Sequence, residues 1–387
     1  MENKRLYLSP PHMSGNEQMY ISQAFETNWI APLGPNVKAL EVEFAKYAGT
    51  KGALAVSSGT AAIHLALQVL GVTSGDTVFC SSLTFIASAN PIIYQGAKPV
   101  FIDSESDTWN MSPKALELAL EYARKKGEIP KAVILVHLFG QSAKVDEIKS
   151  ICGKYKVALI EDAAESLGGT YKGKQTGAFG DIGIYSFNGN KIITTSGGGM
   201  LVSNNEEFLH RALFLSTQAR DPALHYQHSS IGYNYRLSNI LAGIGRAQLE
   251  VLDDRVKVRR EIFDRYKKSL GNIPGITFMP ELKDTMGNRW LTALTIDDKI
   301  NGVRYIDVIN ALEAGNIESR PVWKPLHLQP VFKNAAFFTD ESGDKSISSM
   351  LFEQGLCLPS GSGMTFEDQE RVVAIVKEVL EPSKIAR

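Results

Sequence analysis

Short β-branched apolar runs alternate with helix-period amphipathic segments between about residues 50 and 205. Between the runs, apolar residues recur at helical spacing from Thr60 to Leu70, and Ser112 with Pro113 forms an N-cap followed by proline. This alternation predicts an α/β fold with a large, mostly parallel sheet sandwiched by helices. The predicted strands are 53–56, 77–80, 99–103, 132–137, 157–162, 182–187 and 200–203.

The flanking patterns predict a second unit. Ser14-Gly-Asn-Glu17 is typical of a capping box that opens a helix through Asn28. Residues 238–270 predict one long helix whose charged outer positions form a solvated face. A strand at 291–296 and amphipathic helices at 305–313 and 367–380 then predict a smaller α+β domain. We expect an N-terminal arm and large domain over 1–245, and a linking helix and small C-terminal domain over 246–387.

Composition narrows the class of protein. The 387 residues are 44% hydrophobic and 21% charged, with a formal net charge of −1 and no basic stripe, so we expect no nucleic-acid partner. No apolar run approaches the length of a membrane span, and the first residues lack the apolar stretch of a signal peptide. Three separated cysteines without a CxxC argue against a disulfide framework or a metal site. We expect a cytoplasmic protein.

One lysine has unusual surroundings. Lys191 follows the predicted strand 182–187, and small or polar residues and a glycine triplet at 197–199 surround it. A partly desolvated lysine has a lowered pKa, and its neutral amine can form a Schiff base with a carbonyl. The alternative, a solvated surface charge, stays open on this segment alone.

Further candidates stand at the carboxyl ends of predicted strands, where ligands gather in such sheets. The turn Ser58-Gly59-Thr60 is either an anion site at a helix N-terminus or an ordinary N-cap. Asp162 leaves an apolar strand and needs a cation, which could be a protonated pyridine nitrogen or a structural ion pair. Phe85 could stack on a planar ring or pack in the core. The polar cluster around Asn234 could face a ligand or a second subunit, or join loops.

Taken in order, these motifs resemble the pyridoxal-phosphate sugar aminotransferases of the DegT/StrS family, which have the type I (aspartate aminotransferase) fold. The likeness covers nearly the whole chain, and it is strongest in the segments 8–13, 28–34, 161–165, 186–199, 216–220 and 320–327. Within the family, this amino-acid sequence is most similar to those of the bacillosamine-pathway members. Those enzymes aminate a UDP-linked 4-keto-6-deoxy-N-acetyl sugar.

The resemblance implies a role for each matching residue. Lys191 falls on the Schiff-base lysine, which also acts as general base, and Asp162 on the partner of the pyridine nitrogen. Asn234 matches an asparagine that reaches the phosphate from the neighbouring subunit, which implies a homodimer with shared sites. Glu165 lies beside the cofactor at a position that varies in type within the family. The other implied cofactor contacts are Ser58, Gly59, Thr60, Phe85, Ser186 and Asn188.

The implied reaction is amino transfer from L-glutamate to a UDP-linked 4-keto-6-deoxy-N-acetylhexosamine. We expect charged and stacking groups to flank the site for this dianionic substrate, and the candidates are Arg220, Trp323, Lys324 and His327. They could equally be ordinary rim residues. Other open alternatives are a different nucleotide keto sugar (dTDP-linked or 3-keto), a pyridoxal-phosphate sugar dehydratase, and a non-catalytic relative. Family members that dehydrate lack the lysine, so Lys191 favours transamination.

Overall fold

The computed structural model describes residues 4–340 and 346–381. The strands are β1 Gly52–Val56, β2 Thr77–Ser81, β3 Lys98–Ile102, β4 Ala132–Val136, β5 Ala158–Asp162, β6 Thr170–Tyr171, β7 Lys174–Gln175, β8 Ile182–Ser186, β9 Gly199–Ser203, β10 Ile276–Phe278, β11 Thr285–Met286, β12 Thr292–Ile296, β13 Arg320–Pro321, β14 Ala336–Phe338 and β15 Gly355–Leu358. The helices are α1 Glu17–Glu26, α2 Pro35–Ala48, α3 Gly59–Val69, α4 Asn90–Tyr94, α5 Pro113–Lys126, α6 Val145–Tyr155, α7 Glu206–Ser216, α8 Asn239–Glu250, α9 Leu252–Leu270, α10 Asp298–Asn301, α11 Tyr305–Ala314, α12 Ile347–Gln354 and α13 Phe366–Leu380. No described helix combines the length and apolar character needed to cross a bilayer.

The large sheet has eight strands in the order β1-β9-β8-β5-β4-β2-β3-β14. Every pair is parallel except those made by β9, which runs antiparallel to β1 and β8. Successive side chains of a strand point to opposite faces, so Val133 packs in one apolar core and Ile134 in another. The predicted α/β fold with a mostly parallel sheet is confirmed.

Strand register brings the candidate turns together. Gly199 pairs with Val56 on one side and with Ser186 on the other, so the turn after β1 lies beside the loop after β8. Asp162 ends β5 and pairs with Ile184 of β8. Because the parallel strands end at one edge, residues far apart in the sequence converge there.

The second sheet, in the order β10-β12-β15-β13, is antiparallel and packs with α11 and α13. The C-terminal region also returns to the large sheet, since β14 pairs with β3. Asp103, at the end of β3, accepts hydrogen bonds from Ile347 N (3.1 Å) and Ser348 N (3.1 Å) at the start of α12. The domain boundary at 245/246 stays a prediction; these residues lie inside α8.

Two sequence expectations about the helices are wrong. The helix predicted over 238–270 is two helices, because Val251 leaves helical geometry at φ −113° and ψ 10°. The break lets α8 pack on α1 and α2 while α9 packs on the small domain. The charged residues of the predicted long helix are also not all solvated, since Arg259 on α9 is 1% exposed.

The carboxylate half of the capping box predicted at Ser14 is present, but α1 begins at Glu17 and Ser14 Oγ accepts from Asn16 N (3.1 Å). The Glu17 carboxylate accepts hydrogen bonds from Ser14 N (2.7 Å), Gly15 N (2.9 Å) and Gln248 Nε2 (2.5 Å). Burial alone would raise the pKa of Glu17, but these bonds outweigh it and lower the pKa from 4.5 to about 2. The ionised carboxylate therefore anchors the N-terminal arm to α8.

Replacing Glu17 by glutamine should destabilise the protein at pH 7 by on the order of 2 kcal/mol. A carboxylate whose pKa is lower in the folded than in the unfolded chain stabilises above the unfolded value. That contribution is lost as the pH falls through 4.5 toward 2. Urea unfolding of both proteins between pH 7 and pH 3.5 should show the difference shrinking. Glu26→Gln, at the exposed end of the same helix, is the control, and a pH-independent difference for Glu17→Gln would contradict the assignment.

Candidate active site

A cavity of about 320 Å³ lies at the carboxyl ends of the large sheet. Ten of the residues proposed from the sequence line it, and these are Ser58, Gly59, Thr60, Phe85, Asp162, Glu165, Ser186, Asn188, Lys191 and Trp323. They come from five separate stretches of chain. Residues proposed from strand ends and from the family resemblance therefore line the same cavity.

Lys191 lies in the loop after β8, and its side chain is 12% exposed. Its Nζ is 3.6 Å from Glu165 Oε1 and 3.9 Å from the centroid of the Trp290 ring. A carboxylate and the face of an indole both attract an ammonium group. The amine is thus held inside the cavity by two side chains.

Glu165 is the acidic neighbour of this amine. Its side chain is 4% exposed, and its Oε2 accepts a hydrogen bond from Phe139 N at 2.8 Å. Burial raises the pKa of Glu165, and nearby Asp162 acts in the same direction, while Lys191 and the Phe139 amide oppose them. Glu165 is therefore protonated more readily than an exposed carboxylate.

Asp162 is buried and oriented by three groups. Ser88 Oγ donates to its Oδ2 at 2.7 Å, and Ala164 N donates to its Oδ1 at 3.1 Å. Thr84 Oγ1 lies 2.9 Å from Ser88 Oγ. No lysine, arginine or histidine forms an ion pair with Asp162 among the described residues. This carboxylate faces the cavity with room for a cationic ligand atom.

A second buried acid supports this strand end. Glu161, next to Asp162, accepts hydrogen bonds from His137 Nε2 (2.9 Å), Gly177 N (2.9 Å) and Phe179 N (2.6 Å). Burial would raise the pKa of Glu161, but the contacts with His137 and the amides outweigh it and lower the pKa. His137 N also donates to the backbone oxygen of Asp162 at 3.1 Å. These hydrogen bonds to neighbouring segments therefore fix the end of β5.

The turn after β1 opens helix α3 toward the cavity. Ser58 is its N-cap, and Ser58 Oγ accepts from Ala61 N at 3.0 Å. Within the described part of the chain, no acceptor is bonded to the first-turn amides of Gly59 and Thr60. A Cβ on Gly59 would lie 3.2 Å from Ser186 Cβ, and one on Gly199 would lie 2.5 Å from the Ser58 carbonyl carbon. The close approach of the two backbones requires glycine at position 199, and the amides of Gly59 and Thr60 are donors for an anion.

These groups fit pyridoxal phosphate. The amides of Gly59 and Thr60 and the Ser186 hydroxyl suit the phosphate, and the Asp162 carboxylate suits the pyridine nitrogen. Lys191 supplies the amine for the aldehyde. Phe85 lines the same cavity and is 56% exposed, so its ring is available to a planar ligand.

Four residues proposed from the sequence lie outside this cavity. The Arg220 guanidinium stacks over the Tyr226 ring at 4.4 Å, and Lys324 and Asn234 are exposed. His327 is engaged within the chain, with Nδ1 2.7 Å from Ser82 Oγ and Nε2 3.3 Å from Ser349 Oγ. Its ring also stacks on Phe337 at 3.8 Å. Both ring nitrogens of His327 are thus engaged within the chain, and its contact with a nucleotide sugar stays a prediction.

Sequence reasoning missed Trp290, Thr84 and Ser88, all of which line the cavity. Thr84 and Ser88 lie in the segment that contains Phe85, so their hydroxyl groups, four residues apart, were a usable signal. Trp290 carries no such signal. It precedes a strand of the small sheet and reaches the cavity only through the tertiary fold.

Comparison with known proteins agrees with this site. The DegT/DnrJ/EryC1/StrS aminotransferase family model matches residues 11–377. EpsN of Bacillus subtilis (strain 168), named provisionally as a pyridoxal phosphate-dependent aminotransferase, is 62% identical over 374 residues, covering 97% of this chain and 95% of that protein. A GDP-perosamine synthase of Caulobacter vibrioides is 38% identical, with coverage of 97% and 98%. The crystal structure of a DegT DnrJ EryC1 StrS aminotransferase from Brucella abortus has a TM-score of 0.87 at 28% identity, covering 95% of both chains.

Proposed function

This chain belongs to the DegT/DnrJ/EryC1/StrS aminotransferase family, and on that premise we propose that it transfers the amino group of L-glutamate to a UDP-linked 4-keto-6-deoxy-N-acetylhexosamine. Membership makes it a pyridoxal phosphate-dependent sugar aminotransferase. The observation that carries the proposal is the Lys191 amine, held between Glu165 and Trp290 in the cavity that contains Asp162. The product would be a UDP-4-amino sugar for polysaccharide or glycan synthesis.

When bound, pyridoxal phosphate supplies a reactive aldehyde and an electron sink. The protein's residues position it and move protons. The turn at Gly59 and Thr60 would bind its phosphate, and Asp162 would keep a proton on its pyridine nitrogen. The Lys191 amine would take a proton from Cα of glutamate and, in the second half-reaction, would deliver one to the sugar carbon that bears the new amine. Glu165 and Trp290 hold that amine within reach between these transfers.

The UDP-linked sugar is proposed because, within the family, the sequence is most similar to the bacillosamine-pathway members, which use it. Trp323 lines the cavity beside Phe85, with the ring centroids 6.3 Å apart, and is our candidate for contact with the sugar nucleotide. Lys324 and Arg220 stay candidates for the diphosphate from exposed positions. The GDP-perosamine synthase relatives favour one second candidate, a GDP-linked keto sugar.

We also propose a homodimer. Asn234 is exposed and lies outside the cavity of its own chain, as expected of a residue that completes a neighbour's site. The nearby side chains of Leu224, Tyr226 and Ile231 are 105%, 79% and 86% exposed. Apolar groups so exposed on one loop are typical of an interaction surface.

The buried free cysteines Cys80, Cys152 and Cys357 support a reducing, cytoplasmic setting.

The substrate is tested with a panel. Purified protein with pyridoxal phosphate and L-glutamate is given UDP-, GDP- and dTDP-linked 4-keto and 3-keto sugars, and products are identified by NMR. We expect one 2-oxoglutarate for each UDP-4-amino sugar formed, and the highest kcat/KM for the UDP-linked 4-keto N-acetyl sugar. A GDP-linked substrate with a higher kcat/KM would overturn the UDP assignment. Sugar turnover without 2-oxoglutarate would overturn transamination in favour of dehydration.

A further inference from the structure

Arg259, on α9, is a buried cation with an unusual set of partners. Its guanidinium donates to Trp290 O (2.5 Å), Ser360 O (3.0 Å) and Ser9 Oγ (3.0 Å). None of these is a carboxylate, although a buried charge is costly unless compensated. Burial and the nearby Arg255 lower the pKa of Arg259 to about 9. The buried guanidinium joins the segments that contain Ser9, Trp290 and Ser360 and fixes their relative positions.

The contact with Ser9 fixes the direction of a second hydrogen bond. An arginine can only donate, so Ser9 Oγ accepts from Arg259. The single hydroxyl hydrogen of Ser9 is then left for Asn190 O, which lies 2.8 Å away. Donation from a charged group polarises the hydroxyl and strengthens its own donation.

The carbonyl of Asn190 receives another bond from Trp290 Nε1 at 2.7 Å. A carbonyl oxygen has two lone pairs, so both are now used. On the other side of the same peptide bond, Lys191 N donates to Asn188 O at 3.0 Å. The peptide group that precedes Lys191 is thus fixed at both its oxygen and its nitrogen.

We propose that Ser9, on the N-terminal arm, is a positioning residue for Lys191, polarised by Arg259 and acting through the Asn190 carbonyl. The inference rests on the catalytic role proposed for Lys191. An amine that moves protons in both halves of the reaction must return to the same place each time. Small displacements of a reacting group cost large factors in rate.

Trp290 has two functions in this network. Its indole N–H fixes the backbone before Lys191, and its ring face lies 3.9 Å from Lys191 Nζ. Loosening either donor to Asn190 should therefore free the amine from the indole and from Glu165. The freed amine would be easier to reach from solvent and slower in catalysis.

The test is Ser9→Ala, with Ser9→Thr as the variant that keeps the hydroxyl. We expect the rates of both half-reactions to fall by about 3- to 10-fold, with little change in KM for glutamate or the sugar, and to recover in Ser9→Thr. Ser14→Ala, on the same arm, is the control. Trace acetylation of the cofactor-free proteins, followed by peptide mass spectrometry, gives the labelling rate of Lys191 relative to that of exposed Lys154. We expect this ratio to be at least about 3-fold higher in Ser9→Ala than in the unaltered protein.

A merely structural role would lower the unfolding temperature of Ser9→Ala without changing the relative labelling of Lys191, and that result would overturn the proposal. Because labelling needs no turnover, its outcome is separate from that of the proposed function. If Ser9→Ala does not fold, Trp290→Phe keeps a ring face but removes the second donor to Asn190. It should raise Lys191 labelling in the same way, and unchanged labelling in that variant would equally overturn the proposal.

Discussion

Replacing Lys191 by alanine should lower the rate of amino transfer by at least about 10³-fold, since we propose that this one group supplies both cofactor attachment and general-base catalysis. The protein should still fold, because the lysine side chain lines the cavity and is not packed in an apolar core. Removing it leaves Glu165 without its cation, but burial already raises the pKa of Glu165 and lets it take up a proton. Steady-state rates with glutamate, and borohydride capture of the cofactor on residue 191, measure the two losses.

Lys191→Arg separates chemistry from charge. Arginine keeps a cation beside Glu165 and Trp290, but it cannot act as a neutral amine at physiological pH. We expect this variant to be as inactive as Lys191→Ala. Lys154→Ala, whose side chain is 54% exposed and paired with Glu117, should be fully active. Appreciable transamination by Lys191→Arg would show that the lysine serves only as a charge.

Replacing Asp162 by asparagine should lower the rate by about 10²- to 10³-fold, the range seen when one preorganised electrostatic contact is lost. The amide is the same size and keeps neighbours such as Ser88 and Ala164. It lacks the negative charge that we propose keeps a pyridine nitrogen protonated, so electron withdrawal from the reacting carbon should weaken. Rates of the glutamate half-reaction, followed by cofactor absorbance, report the change.

A cofactor analogue methylated at the pyridine nitrogen tests this reason directly, because its charge does not depend on a carboxylate. Asp162→Ala leaves space for the methyl group and should regain part of the lost rate with this analogue. Asp146→Asn, which removes an exposed aspartate paired with Lys172, should behave as the unaltered protein. No recovery with the methylated analogue would assign Asp162 to the structure of the cavity alone.

Much of the site could be predicted because its residues occupy strand ends, which local patterns reveal. Asp162 ends a buried apolar strand, Lys191 and Gly59 each follow one, and parallel strands end at one edge. His327 was proposed on a different ground, as a charged group flanking the site, and that role stays a prediction. Its sequence neighbours resembled a substrate-binding segment, but its ring nitrogens bind Ser82 and Ser349 in the fold.

The sequence by itself determined the α/β class and the positions of the main strands, because burial periodicity and turn residues act locally. Its resemblance to a family supplied the residues that carry the proposed chemistry. Only the tertiary structure decided what holds the lysine. Ser9 and Trp290 meet the Asn190 carbonyl from 181 and 100 residues away. Arg259 was expected on a solvated face, yet it is buried on α9, where it contacts Ser9 and Trp290. Contacts of such separation depend on how whole elements pack, and no local pattern specifies that packing.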